Sequence, residues 1–371
     1  MIDTPSILID TRAMERNIER MAKLVRDAGV ALRPHSKTHK SPEIARLQLR
    51  AGAPGVTVAK VGEAEVMVKG GIRDLFIAYP LASAAKIDRA LDLALTSHIV
   101  FAADSMEIAS LLAERAAGRG QVAEVRMEVD SGMRRTGVKR SDARALARAM
   151  AAMKGLSLTG IFTFRGSLID GQPTLDRKRA GLEEGRLMAE LAEALRSDGI
   201  PIREVSVGST PTAEYAASVP GVTEVRPGTY VFCDRSEVAY GVCAVADCAA
   251  TLLVTVVSRP ASDYIVVDGG NKSLSADSQP DKPPTHLPGY GEVVGYPDAV
   301  VERMSEEHGM IAIRPEHPFK VGDRLRIIPN HVCTTVNLHN VMYLTDSPDR
   351  LVEDPEAPAE EMPIAGRGMV R

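Results

Sequence analysis

The segment Arg33-Pro34-His35-Ser36-Lys37-Thr38-His39-Lys40 places two lysines and two histidines within eight residues. An amine held at a rigid strand end among cations loses part of its hold on the proton, because burial and like charge both disfavour the ammonium form. Such a lysine can attack a carbonyl carbon and form an imine. A solvated basic loop is the other reading, and residue types alone leave both open. Near the far end of the chain His331 and Cys333 stand two apart. On an extended strand they point to one side, so imidazole and thiolate can meet one divalent cation and leave positions for water or substrate. A packed histidine beside a buried thiol is the alternative. The third group, Gly208-Ser209-Thr210, offers backbone N–H groups and hydroxyls to a phosphate at a helix start, or simply caps that helix.

The elements that must position these groups alternate between helical and strand periods over the first ~240 residues, the pattern of parallel strands joined by crossover helices. Eight strand cores are expected at Ala31–Pro34, Gly55–Ala59, Leu75–Tyr79, Ile99–Ala102, Val122–Val129, Leu158–Phe164, Glu204–Val207 and Thr223–Val225. Met14, Ile18, Met21 and Val25 recur at helical spacing before the first of them, as one buried stripe should. Eight strand–helix units predict a (β/α)8 TIM barrel over residues 8–240, with chemistry at the C-terminal ends of its strands. Beyond Asp234 the sequence turns to β-branched runs and Pro and Gly clusters, predicting a mostly β domain over 241–371 together with residues 1–7. The segment Ser273–Gly289, with Pro280, Pro283, Pro284 and Pro288, reads as a lid or a mobile loop.

Composition narrows the class. Among 371 residues, 44% are hydrophobic and 25% charged, and the formal charge is −4, which gives nucleic acid no basic footprint. No stretch reaches the ~20 apolar residues of a membrane helix, and the N-terminus lacks the layout of a secretory signal, so the expectation is a cytoplasmic protein. Four scattered cysteines, Cys233, Cys243, Cys248 and Cys333, make no disulfide framework. The first three are expected to be buried and inert.

TPSILID followed by RPHSKTHK resembles the fold-type III pyridoxal-phosphate proteins of the alanine racemase-like superfamily, in particular the D-threonine aldolase and D-serine dehydratase family. The resemblance runs from residue 4 to 340. It implies that Lys37 carries pyridoxal 5'-phosphate covalently, with His35 beside it. Val129-Asp130-Ser131-Gly132-Met133-Arg134-Arg135-Thr136-Gly137 is similar to the superfamily's DxGMxRxG stretch and assigns Arg135 to the cofactor's phenolic oxygen. Gly208, Ser209 and Thr210, with Arg226, Gly228, Thr229 and Tyr230, resemble the phosphate-binding turns and the segment facing the pyridine ring. An arginine facing the ring nitrogen donates a hydrogen bond but gives up no proton, which leaves the cofactor a weaker electron sink.

By the same resemblance His331 and Cys333 hold a divalent metal, zinc or manganese. His-x-Cys is the dehydratase pattern, and the aldolases carry His-x-Asp. The flank Thr335–Asn340 and the segments Asp268–Ser273 and Glu307–Gly309 resemble aldolases. Arg165 stands where the aldolases have a histidine. With a pKa above ~12 it is no base near neutrality, and it suits a substrate carboxylate, held in a bidentate contact. The implied function is a pyridoxal-phosphate- and metal-dependent lyase for a small D-β-hydroxy-α-amino acid. The aldolase, giving glycine and an aldehyde, stands slightly ahead of a D-serine or D-3-hydroxyaspartate dehydratase. An amino-acid racemase and a non-catalytic cofactor carrier are further alternatives. Relatives of this fold pair, so a homodimer is the expected assembly.

Overall fold

The computed structural model describes residues 2–371 and divides into two compact units. One comprises Arg20–Lys37, Ser41–Gly228 and Gly368–Arg371. Its eight barrel strands are Ala31–Leu32, Val56–Val58, Asp74–Ile77, His98–Ala103, Ala123–Asp130, Leu156–Phe162, Glu204–Val207 and Glu224–Val225. Each expected strand core is present. Every strand lies parallel to its neighbour, and the eighth pairs with the first, Glu224 opposite Ala31. A parallel bridge between His35 and Thr57, with Thr57 N–H donating to Pro34 O at 2.8 Å, joins the first strand to the second. The ring of strands is thereby closed, as in a TIM barrel.

The crossover helices start where their sequences carry caps. Ser41 accepts from Ile44 N–H ahead of Pro42–Arg50, and Asp176 accepts from Arg179 N–H at 3.0 Å ahead of Arg177–Ser197, which satisfies amides that a helix start leaves open. The helix Thr11–Asp27 buries the expected stripe of Met14, Ile18, Met21 and Val25.

The second unit takes residues up to Glu19, Thr38–Lys40 and Thr229–Arg367. It holds a nine-stranded sheet. Six of the strands, Tyr264–Val267, Gly309–Ala312, Tyr296–Met304, Gly291–Val293, Arg324–Pro329 and Ala250–Ser258, pair antiparallel in a ring, since the last also pairs with the first. Closure leaves these strands no free edge within the ring. Ser6–Asp10, Val341–Thr345 and Glu360–Pro363 extend the sheet from Ala250–Ser258, with Ser6–Asp10 and Val341–Thr345 parallel. No helix among the described residues is long and apolar enough to cross a membrane.

Candidate active site

In the barrel unit, Lys37 lies in the 3-10 turn Ser36–Thr38 that follows the first strand. The turn is held on both sides. Ser36 Oγ donates to Thr57 O at 3.0 Å, and His35 N–H donates to Pro227 O at 3.0 Å, linking the motif to the segment after the eighth strand. Lys37 N–H lies 3.4 Å from His35 Nδ1. Lys37 Nζ stands 5.5 Å from the centre of the Phe164 ring, and the Arg135 guanidinium 5.0 Å from the same ring. Both cations are near enough to this ring to draw on its negative quadrupole. Motifs about 100 residues apart thus meet on Phe164, which residue types had not marked.

Arg226 is buried, its Nη1 2.5 Å from Ser206 Oγ and its Nη2 2.5 Å from Thr163 O. Burial pulls its pKa down to about 10, against the attraction of Glu224, so it stays charged at neutral pH. The turn Gly208–Thr210 follows the seventh strand, with Gly208 at φ +79. Ser209 N–H donates to Thr212 Oγ1 at 3.0 Å, so this amide serves the turn itself. Glu184, fully buried, accepts from Arg165 N–H at 3.2 Å and Thr212 Oγ1 at 3.4 Å, and the Gly208 N–H also reaches it. Gly228 ends the barrel unit's main segment, whereas Thr229 and Tyr230 open the main segment of the other unit in a 3-10 turn, Tyr230 fully buried.

Arg165 is buried and pairs with Glu183, Nη2 to Oε2 at 3.1 Å. It lines a cleft of about 560 Å³ together with Ser131, Arg134, Arg140 and Arg186. Glu183 and Glu190 answer part of that positive charge. The side chain expected to hold a substrate carboxylate therefore holds a carboxylate of its own chain.

In the β unit, His331 and Cys333 are not on a strand, contrary to the expectation from their spacing. The strand Arg324–Pro329 ends before them, His331 is the extended N-cap residue, and Cys333 is the second residue of the helix Val332–Asn337. The cause is tertiary. Asp234 Oδ2 accepts from Val332 N–H at 3.0 Å, supplying from almost 100 residues away the acceptor that a helix start requires. The two side chains still come within hydrogen-bond reach of each other. His331 Nδ1 lies 2.6 Å from Asp277 Oδ2, and Asp277 also accepts from Thr334 Oγ1 at 2.7 Å. Burial lowers the His331 pKa, but the bonds to Asp277 and Cys333 outweigh it and raise the value to about 11. Cys333 Sγ meets the hydroxyls of Thr38 at 3.1 Å and Thr229 at 3.7 Å.

Asp277 carries no spacing signal and lies in the proline-rich loop read as a lid. That loop begins in the helix Asn271–Leu274 and is tied to the His331 helix through Asp277 and through Leu274 O, which accepts from Thr335 Oγ1 at 2.6 Å. Among the described residues no group of three or more His, Cys, Asp and Glu is arranged to hold a metal. His331 and Cys333 are a pair, short of such a group.

Residues 9–236 match the family described as alanine racemase, N-terminal domain, and residues 249–345 match the putative serine dehydratase domain. The chain belongs to this alanine racemase-like family, whose relatives here are pyridoxal-phosphate-dependent lyases. It is 36% identical over 356 residues to a D-threo-3-hydroxyaspartate dehydratase of Delftia sp. (strain HT23), covering 90% of this chain and 92% of that protein. It is 32% identical over 360 residues to a D-threonine aldolase of Arthrobacter sp, covering 95% and 91%. A solved D-threo-3-hydroxyaspartate dehydratase, a cysteine-to-alanine variant in the metal-free form, superposes with a TM-score of 0.88 at 33% identity, covering 98% of this chain and 97% of that one.

Proposed function

We propose that the protein is a pyridoxal-phosphate- and divalent-metal-dependent ammonia-lyase that dehydrates a D-configured 3-hydroxy-α-amino acid, with an acidic side chain preferred. The observation that carries this reading is the His331–Cys333 pair oriented by Asp277. A carboxylate on Nδ1 orients the ring as in the usual outer-shell arrangement of metal-binding histidines, and Nε2 would meet a metal on losing its proton. The residues also suit the organic cofactor: an amine and a guanidinium beside one aromatic ring, a buried arginine, and a left-handed glycine turn in which a Cβ would lie 3.1 Å from Val225.

When bound, pyridoxal phosphate acidifies the substrate's Cα–H, and the metal polarises its β-hydroxyl as a leaving group. Lys37 would hold the cofactor through Nζ and supply the amine for the Cα proton. Arg135 and Arg226 would donate to its phenolic oxygen and ring nitrogen, and His331 and Cys333 would hold the cation. The reaction would release water and, after hydrolysis, a 2-oxo acid and ammonia. Arg134, Arg140 and Arg186 share the Arg165 cleft with Glu183 and Glu190, and a buried arginine there supplies no base for a β-hydroxyl proton.

The second reading is retro-aldol cleavage, favoured by the Thr335–Asn340 flank and by the aldolase relative that covers 95% of the chain. Incubating the holo-protein with D-threonine, D-serine and D-3-hydroxyaspartate separates the two. Ammonia with a 2-oxo acid is the expected result, strongest with D-3-hydroxyaspartate and abolished by chelator. Glycine and an aldehyde without ammonia would mean aldolase. Turnover that ignores chelation would remove both.

A further inference from the structure

Three of the four cysteines converge, none of them among the residues assigned above, although Cys233 donates to Thr229 O and Tyr230 O. Cys233 follows the 3-10 turn Thr229–Val231, Cys243 lies just beyond the helix Arg235–Ala239, and Cys248 ends the 3-10 turn Val245–Asp247. Cys233 and Cys248 are buried with Ile328, and half-buried Cys243 packs against them. The Cys243 thiol is within hydrogen-bond reach of both others. None of the three is in a disulfide. The sequence reading made them buried and inert, but Cys243 is half-buried and adjoins the exposed segment Ala244–Ala246. Cys248 also walls a cavity of about 150 Å³ beside Val238, Val245 and Ile328, which gives its side chain room to turn.

We propose that Cys243 is a peroxide-reactive thiol that closes a reversible disulfide with Cys233 or Cys248. The oxidant is hydrogen peroxide. The Cys243 sulfur attacks one peroxide oxygen, the O–O bond breaks, one water leaves, and a sulfenic acid remains. A neighbouring sulfur then attacks the sulfenic sulfur, the S–S bond forms as the S–O bond breaks, and a second water departs. Two thiols have lost two electrons and their two protons, and peroxide has become two waters. A dithiol reductant reverses the change.

The geometry assigns the order of events. Peroxide meets Cys243 first because it is the solvent-accessible member. The other two are held protonated by their hydrogen bonds to Cys243 and by burial, so they act only once a sulfenic acid stands beside them. Oxidation also bears on a neighbour: Cys233 precedes Asp234, whose carboxylate caps the helix Arg235–Ala239 and bonds Val332 N–H.

The full-length holo-protein is treated with a small excess of hydrogen peroxide, alkylated, digested and mapped by mass spectrometry. The expected result is one intramolecular disulfide within Cys233, Cys243 and Cys248, lost on treatment with dithiothreitol, while Cys333 stays alkylatable. The disulfide should persist in Cys333→Ala and vanish in Cys243→Ala. Full alkylation of Cys243 after peroxide, arrest at its sulfinic acid, or a bond to Cys333 would overturn the proposal. The wild-type map decides even if a variant fails to fold.

Discussion

Glu184 is fully buried beneath the turn after the seventh strand, and burial pushes its pKa up to about 7 despite the nearby Arg226 and the amides of Arg165 and Gly208. A carboxyl whose native pKa lies above its unfolded value stabilises the fold fully below the unfolded pKa and loses that contribution as pH rises through the native one. The window is therefore roughly pH 4.5 to 7. Glu184→Gln should flatten it: between pH 5 and pH 8 the variant should gain on the wild type by roughly 1 to 3 kcal/mol in urea unfolding. Parallel curves would show that Glu184 ionises freely. At the same scale, Lys37→Ala should abolish the absorbance near ~420 nm expected of a lysine-bound pyridoxal imine. Its urea midpoint should stay within about 1 kcal/mol of wild type, and a retained chromophore would refute the assignment of Lys37.

Two elements depend on distant partners. The turn after the seventh strand is left-handed at Gly208, and a Cβ there would come within 3.1 Å of Val225 Cγ1 and 3.3 Å of Ala213 Cα. Gly29 has a similar φ of +72, yet a Cβ on it would meet nothing within 4 Å. Gly29→Ala should cost about 1 kcal/mol for backbone conformation alone. Gly208→Ala should cost more, about 2 to 3 kcal/mol, with crowding added, and should weaken pyridoxal-phosphate binding measured by equilibrium dialysis. Equal costs would show that Val225 and Ala213 yield freely. The His331 helix is the other case. His-x-Cys spacing reads as a strand because alternation is the local rule, whereas Asp234 sets the helix start through a bond across 98 positions of sequence.

Across the barrel, the interior is ionic where a generic barrel core is aliphatic. Arg33, Asp74, Arg126 and Ser206 come from the first, third, fifth and seventh strands or the residues bordering them, and Glu224 comes from the eighth. They gather on Glu224 and its neighbours: Glu224 accepts from Arg33 Nε at 2.7 Å, Arg126 Nη1 at 2.5 Å and Ser206 Oγ at 2.6 Å, and Arg33 also pairs with Asp74. Burial alone would raise the Glu224 pKa, but Arg126 and Arg33 bring it down to about 2. The stability it contributes is present above the unfolded value near 4.5 and is lost as pH falls toward 2. Glu224→Gln leaves two buried guanidinium groups short of a counter-charge and should destabilise the protein by about 3 to 5 kcal/mol at pH 7. That difference should shrink in denaturant titrations taken at progressively lower pH. A constant difference down to pH 3 would refute the ionic account.

What the sequence determined by itself is whatever periodicity and local turn chemistry can encode: eight strands, their helices, the change to β structure beyond Asp234, and the motif around Lys37. Those signals are local, since burying one face of a strand or helix requires a repeat along a short stretch of chain. The tertiary structure alone decided that Phe164 receives both Lys37 and Arg135, that Asp277 orients His331, that Arg165 is paired with Glu183, and that three cysteines meet. No local pattern records these. Each is a contact between segments whose separation along the chain carries no period, so only the folded chain brings such residues within reach.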